Sequence, residues 1–390
     1  MITSIHIRGF KSLVDEFIEI GNVNVFIGAN GSGKSNILEA IGVLSAASSS
    51  NVDDESLMRR GVRPGLPTLY KSSFNNVRTP SDIFFEVQSS NDIRYKVCLH
   101  NPLEKPTKAW QYKSESMSIG EKNLFSDGIR TWQNREIGLA ATSLVSSKPN
   151  SSEVKFLKIL QDYAIYTPNT PILRGLLPDS VRGAVGLQGG GLAEAMEELL
   201  DSKSEHEYYN EALGLLDWVK NVQISKSASL LLSPSVTRQE KTLIFEDRFM
   251  RHERNKLTGY DASEGALYVL FSLVLARSPQ MVPLFAVDNF DQALNPRLAQ
   301  KLIEYFCRWM LHKNRIQRQI FLTVHSPTIL DGLPINDDKV RLFTVDRNNQ
   351  GCTKIRRVLI TPEIKQLSKD KGWPLSRLWV MGHLGGVPNV

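Results

Sequence analysis

Eight consecutive residues, Gly28-Ala29-Asn30-Gly31-Ser32-Gly33-Lys34-Ser35, fit the pattern G-x-x-x-x-G-K-[ST] at every position. Glycines at those spacings let successive backbone N–H groups converge on an anion, the lysine adds a cation that reaches the β and γ phosphates, and the terminal hydroxyl is a hard oxygen for magnesium. We therefore assign nucleotide contacts to Asn30, Gly31, Ser32, Gly33, Lys34, Ser35 and Asn36, with ATP and Mg2+ as the expected cofactors. A loop of this kind needs a second magnesium oxygen, from a carboxylate at the end of an apolar strand. Leu284-Phe285-Ala286-Val287-Asp288 has that form, so Ser35 and Asp288 are the expected metal pair.

The residue after Asp288 bears on turnover. A water attacking a phosphate gives up a proton, and the amide of Asn289 cannot accept one. Either Asp291, two residues on, accepts it from a displaced position, or hydrolysis is slow. Two more residues stand at chemically suggestive places. His325 closes the apolar run ahead of Ser326-Pro327, where a lone histidine is otherwise structural. Ser263, in Asp261-Ala262-Ser263-Glu264-Gly265-Ala266-Leu267, reads by itself as a helix N-cap.

These side chains need rigid elements to hold them. Val23, Val25 and Ile27 alternate at a period of two, and Ile37, Leu38 and Ile41 then take up helical spacing, giving strand, glycine loop and helix. Ile5 and Ile7 mark a strand before them. Polar residues from Ser45 to Pro80 read as an irregular connection, and Ile83–Val87, Arg94–Leu99 and Trp110–Met117 as an antiparallel lobe. Helical spacing over Val154–Tyr166 and Leu192–Val219 predicts a helical insertion, with Gly189-Gly190-Gly191 as its hinge. Strand-like alternation returns over Ser229–Phe249. Helices at Glu264–Ala276 and Pro296–His312 then alternate with strands at Leu284–Val287 and Ile320–Val324, which argues for a sheet covered on both faces. The expected fold class is α/β with a mixed sheet, an antiparallel β lobe and an inserted helical subdomain, divided as 1–120 and 225–390 around the insertion at 121–224.

Composition removes whole classes. Among 390 residues, 41% are hydrophobic and 23% charged, which excludes global disorder. The longest apolar run, Ala266 to Ala276, falls well short of the ~20 residues that cross a bilayer, and Met1–Phe10 lacks a signal-peptide core, so no membrane association and a cytoplasmic location are expected. Cys98, Cys307 and Cys352 have no paired spacing for a disulfide framework or zinc site. A net charge of +6 permits nucleic-acid binding without requiring it.

The order of strand, phosphate loop, long intervening region, Ser-x-Gly, Asp288, Asn295-Pro296 and His325 resembles the ABC-type ATPase heads of the SMC and RecF class. The opening Gly9-Phe10-Lys11-Ser12 is similar to the "gFKS" turn of that class. The resemblance implies that Ser263 and Gly265 are signature residues facing the phosphate loop of another copy, that Asn295-Pro296 is the D-loop, and that His325 is the switch histidine at the γ phosphate. It also implies a glutamate where Asn289 stands. SMC arms need long heptad repeats, which this sequence lacks, so an SMC tether is not expected. A closer likeness is to compact ATPases allied to the OLD family, many of them in bacterial anti-phage systems, through Leu375–Trp379 and Gly382–Asn389. Ser326–Val390 holds no acidic D-x-D cluster of the kind OLD nucleases carry. The resemblance is therefore to the ATPase of Septu-type defence, which implies a separate effector such as an HNH nuclease. Composite sites imply a homo-oligomer, a dimer or a multiple of it. A RecF-like DNA-repair clamp is the alternative. For nucleic acid, the candidate contacts are Arg248, Arg251, His252, Arg254 and Lys256, and His312, Lys313, Arg315 and Arg318; each cluster reads equally as a solvated face.

Overall fold

The computed structural model describes residues 1–75, 78–127, 135–140, 150–179, 181–226, 240–312 and 317–385. The strands among these residues are β1 (Ile2–Phe10), β2 (Leu13–Glu19), β3 (Val23–Ile27), β4 (Asp82–Ser89), β5 (Ile93–His100), β6 (Gln111–Ile119), β7 (Lys122–Asp127), β8 (Ala164–Tyr166), β9 (Val181–Arg182), β10 (Val185–Gly186), β11 (Val219–Lys226), β12 (Lys241–Asp247), β13 (Lys256–Thr258), β14 (Leu284–Val287), β15 (Gln319–Val324), β16 (Val340–Arg347) and β17 (Thr353–Arg357).

The core sheet runs β17-β16-β3-β15-β14-β8. Its pairings are parallel except at the β16–β17 edge. Every residue of β3, β14 and β15 is buried, as a sheet with helices on both faces requires. Side chains alternate between those faces. Val25, Ile27, Phe285, Val287, Leu322 and Val324 pack with the helices Glu264–Arg277 and Pro296–Leu311. Phe26, Ala286, Phe321, Phe343 and Val345 pack with the helix Lys34–Ser49 and the inner face of a second sheet. That sheet, β2-β1-β4-β5-β6-β7, is antiparallel throughout. Strict alternation of buried and part-exposed residues along β4 and β5 leaves its other face to solvent. β11-β12-β13 form a smaller antiparallel sheet, and β9-β10 a short ribbon.

The α/β head with a mixed sheet and an antiparallel lobe is as expected, but three local readings change. First, the stretch 121–224 is not a purely helical insertion. It holds helices at Ser152–Gln161, Leu192–Leu200 and His206–Gly214, yet β7 extends the antiparallel sheet and β8 is an edge of the core sheet, parallel to β14. A three-residue apolar strand directly after an amphipathic helix has no period of its own to give it away. Second, Gly189–Gly191 is a packed turn. Asp179 Oδ2 accepts from the N–H groups of Gln188 and Gly190. A Cβ at Gly189 would lie 2.3 Å from Leu173 Cδ2. Third, the phosphate-loop helix continues through the serines to Ser49. Ser48 Oγ bonds back to the Ser45 carbonyl, and Arg60 Nε donates to Ser45 Oγ at 2.8 Å, so hydroxyls that would compete with a helix are occupied within it.

Candidate nucleotide site

β3 ends at Ile27 and the helix begins at Lys34, with Gly33 at its N-cap in the left-handed region, φ 109°. Two glycines of the loop are dictated by what surrounds them. A Cβ on Gly28 would meet the Val345 carbonyl at 2.0 Å, and one on Gly33 would meet Thr353 Oγ1 at 2.1 Å. Both obstacles come from β16 and β17, which lie against the loop. Lys34 Nζ donates to the carbonyls of Gly28 at 2.7 Å and Ala29 at 3.0 Å. Burial lowers its pKa to about 8, against the opposing pull of Asp288 and Asp291.

Ser35 and Asp288 are brought together from 253 positions apart: Ser35 Oγ lies 2.9 and 3.1 Å from the two carboxylate oxygens. A hydroxyl and a carboxylate side by side are the hard oxygen donors that magnesium takes. Ser32 Oγ is buried without a hydrogen-bond partner among the described residues, a polar orphan inside the loop. The donor set thus fits a magnesium-bound polyphosphate.

Behind Asp288 stands Thr323, which sequence reading did not single out. Its hydroxyl donates to Asp288 Oδ1 and accepts from Asn289 N at 2.8 Å. The same strand end delivers His325, whose Nε2 lies 2.8 Å from Asn289 Oδ1. Burial, followed by the Lys34 charge, lowers the His325 pKa, which favours the uncharged imidazole; because Asn289 presents its amide oxygen, the tautomer that bonds it is the one with the proton on Nε2. Asp291 Oδ2 accepts from the backbone N–H groups of His325, at 2.9 Å, and Ser326. That oxygen fixes the histidine's loop. Asn289 itself has φ 57°, a conformation asparagine tolerates better than most residues.

Asn36 borders the cleft and donates to Ser12 Oγ at 2.7 Å. Asn30 and Gly31 are exposed at the tip. The cleft in front, about 240 Å³, is shared by the loop, His325 and two arginines that sequence reading missed, Arg63 and Arg347. The signal for Arg63 was Glu39, a carboxylate within the apolar run Ile37–Ile41. Glu39 is buried and accepts from Lys11 Nζ and, at 2.6 Å, from Arg63 Nε.

Ser263 and Gly265 do not join this cleft. Ser263 Oγ caps its helix through Ala266 N, and both residues line a separate cavity of about 790 Å³ with Asn295, Trp218 and Tyr305. Within one chain, then, Lys34, Ser35, Asp288, Asn289, Asp291 and His325 converge, and the Ser-x-Gly pair lies apart from them.

The basic clusters also divide. Arg318 is buried, with its guanidinium on the carbonyls of Ala276, at 2.7 Å, and Ser278 at the end of the helix Glu264–Arg277; it is a helix cap, which removes it from the nucleic-acid candidates. The His312 ring packs on Tyr208, and Lys313 and Arg315 lie outside the described residues. Arg248, Arg251, His252, Arg254 and Lys256 are all exposed on the β12–β13 connection. Phe249, 77% exposed, stands among them, on a turn held by Asp247 Oδ1 through the N–H groups of Phe249 and Met250.

Two family models match the chain: "AAA ATPase domain" over residues 1–169, and "AAA domain, putative AbiEii toxin, Type IV TA system" over residues 195–331. Among solved structures, an SMC head bound to the C-terminal winged-helix domain of ScpA matches at 12% identity and a TM-score of 0.53, covering 92% of this chain and 98% of that one. The Smc head domain of Pyrococcus furiosus with an extended coiled coil, bound to the C-terminal domain of ScpA, matches at 12% identity and 0.53, covering 95% and 99%. At that identity the likeness is one of fold. No curated protein matches the chain. No helix among the described residues is long and apolar enough to cross a membrane.

Proposed function

From the premise of a P-loop ATPase with the head fold of SMC proteins, we propose that this chain is a nucleotide-controlled switch. It binds ATP with Mg2+, hydrolyses it slowly, and self-associates when ATP is bound. In that state it regulates a separate effector, a nuclease, in anti-phage defence within the cytoplasm. Lys34 and the loop N–H groups hold the phosphates, Ser35 and Asp288 hold the metal, and Asp291 and Thr323 position His325 and Asn289 at the attacking water.

The observation that carries this reading is the Asn289–His325 pair. The position beside the metal carboxylate holds an amide where rapid hydrolysis needs a proton acceptor, and Nε2 of His325 is taken up by that amide. Slow turnover suits a switch, because the ATP-bound state then lasts long enough to be read by a partner. Self-association is supported by the separation of Ser263 and Gly265 from the phosphate loop: a second copy would bring them to it. A separate effector is supported by the toxin-related description of the second family model and by the SMC heads solved with a ScpA domain. Phosphate release by purified protein, with Lys34→Ala as the blank, tests the reading; rates of many turnovers per second would overturn slow hydrolysis.

A second reading, an ATP-dependent clamp on DNA, is favoured by the β12–β13 connection. Phe249 there stands exposed among cations that have no ion-pair partner among the described residues, an arrangement suited to phosphates and an unstacked base.

A further inference from the structure

β16 runs in register with β3 as far as Thr344 opposite Ile27 and then continues for three residues beside the phosphate loop. That overshoot delivers Arg347, whose Nε donates to the Gly31 carbonyl at 2.7 Å. The returning strand β17 begins with Thr353, fully buried, whose Oγ1 lies 2.6 Å from both the Ser32 carbonyl and Ser12 Oγ. Two successive loop carbonyls are therefore held by one hairpin.

Arg347 does more than brace the loop. It is exposed and borders the cleft. Its two Nη groups have no partner among the described residues, since only Nε is engaged. His325 follows β15 and Arg347 ends β16, so the two flank the loop from the strands on either side of β3. With Lys34 and Arg63 the lining of the cleft carries three cations; Arg63 is paired with Glu39, and Asp288 stands behind Ser35, which leaves the Arg347 fork as a cation without a carboxylate partner among the described residues.

We propose that Arg347 is a nucleotide-reading residue: braced through Nε on Gly31, it offers its Nη fork to the terminal phosphate of a nucleoside triphosphate, while Thr353 positions the loop without touching ligand. This rests on the nucleotide-binding reading above. The fork geometry matches two phosphate oxygens, which a lysine cannot reproduce. The hairpin thereby becomes a second jaw of the site, sensitive to whether the third phosphate is present.

The test is calorimetric titration of the full chain with ATP and, separately, with ADP, both with magnesium. Arg347→Gln is expected to weaken ATP by about 10- to 100-fold, the range of a charge-assisted hydrogen bond, and to change ADP less than about twofold. Thr353→Val is expected to weaken both nucleotides alike. Equal losses of ATP and ADP in Arg347→Gln would reduce Arg347 to a loop brace and overturn the proposal, as would no loss of either. Thermal melting without nucleotide shows whether the glutamine variant folds; if it does not, Arg347→Lys decides, being expected to lose ATP affinity selectively but by less. If the wild-type chain binds neither nucleotide, with Lys34→Ala indistinguishable from it, the failure lies in the nucleotide reading itself and takes this proposal with it.

Discussion

The amide oxygen of Asn289 accepts a hydrogen bond from Nε2 of His325 at 2.8 Å, immediately after the carboxylate that Ser35 faces. The two side chains satisfy one another: the amide does not accept a proton, and Nε2 of the imidazole is taken up by the bond. Replacing Asn289 with Glu supplies the missing acceptor. General-base assistance spans about 10²- to 10⁴-fold; a left-handed φ of 57° at this residue strains a glutamate, so the expected gain in phosphate release is held to the bottom of that range or below it, about 10- to 100-fold. Unchanged release by a folded Asn289→Glu variant would show that proton acceptance is not what limits turnover.

Thr323 couples the metal carboxylate to the backbone of Asn289. Thr323→Val keeps the shape and deletes the hydroxyl, leaving a backbone N–H without its acceptor. The expected cost is about 1 to 3 kcal/mol of folding stability, read as a lower denaturation midpoint. Magnesium-dependent ATP affinity should fall as well, because Asp288 loses its orienting donor. A variant that melts with the wild type would mean that water replaces both bonds.

Light scattering reads self-association directly. Wild-type chain with ATP and magnesium is expected to double its mass, whereas Lys34→Ala stays at the mass of one chain. Ser263→Arg, placed at the mouth of the cavity that Ser263 lines, is expected to bind ATP normally and remain single. Doubling by all three proteins alike would detach association from the nucleotide.

The β12–β13 connection has a salt signature. Should it hold a nucleic-acid strand, converting Arg251, Arg254 and Lys256 together to Gln lowers the slope of log affinity against log salt by about 2 to 3, roughly 0.7 to 0.9 per phosphate contact. Phe249→Ala would weaken a single-stranded oligonucleotide more than a duplex. An unaltered slope in the triple variant leaves these cations as a solvated face.

The phosphate loop and three strands of the core sheet, β3, β14 and β15, were legible because each has a strong local signature: eight motif positions in a row, or an apolar run with nothing exposed. Asp288 and His325 were legible for the same reason, each closing such a run. Thr323 was not, since a threonine inside a buried strand resembles any β-branched filler until its hydroxyl is seen between Asp288 and Asn289. Arg347 and Thr353 were hidden by distance, lying more than 300 positions from the loop they brace. β8 was hidden by brevity. Arg318 misled because a cation at a helix–strand junction looks exposed, whereas here helix-terminal carbonyls bury it.

The pairing of β3 has a consequence for how the protein is made. Both neighbours of that strand come from the far part of the chain: Val23 lies opposite Ile320 on one side and Val340 on the other. A nascent chain emerging in order presents an apolar strand and its glycine loop roughly 300 residues before either flanking strand exists. Contacts of such long sequence separation form late, and an unpaired strand edge invites aggregation meanwhile. Affinity for ATP should therefore appear only once translation has passed Thr353.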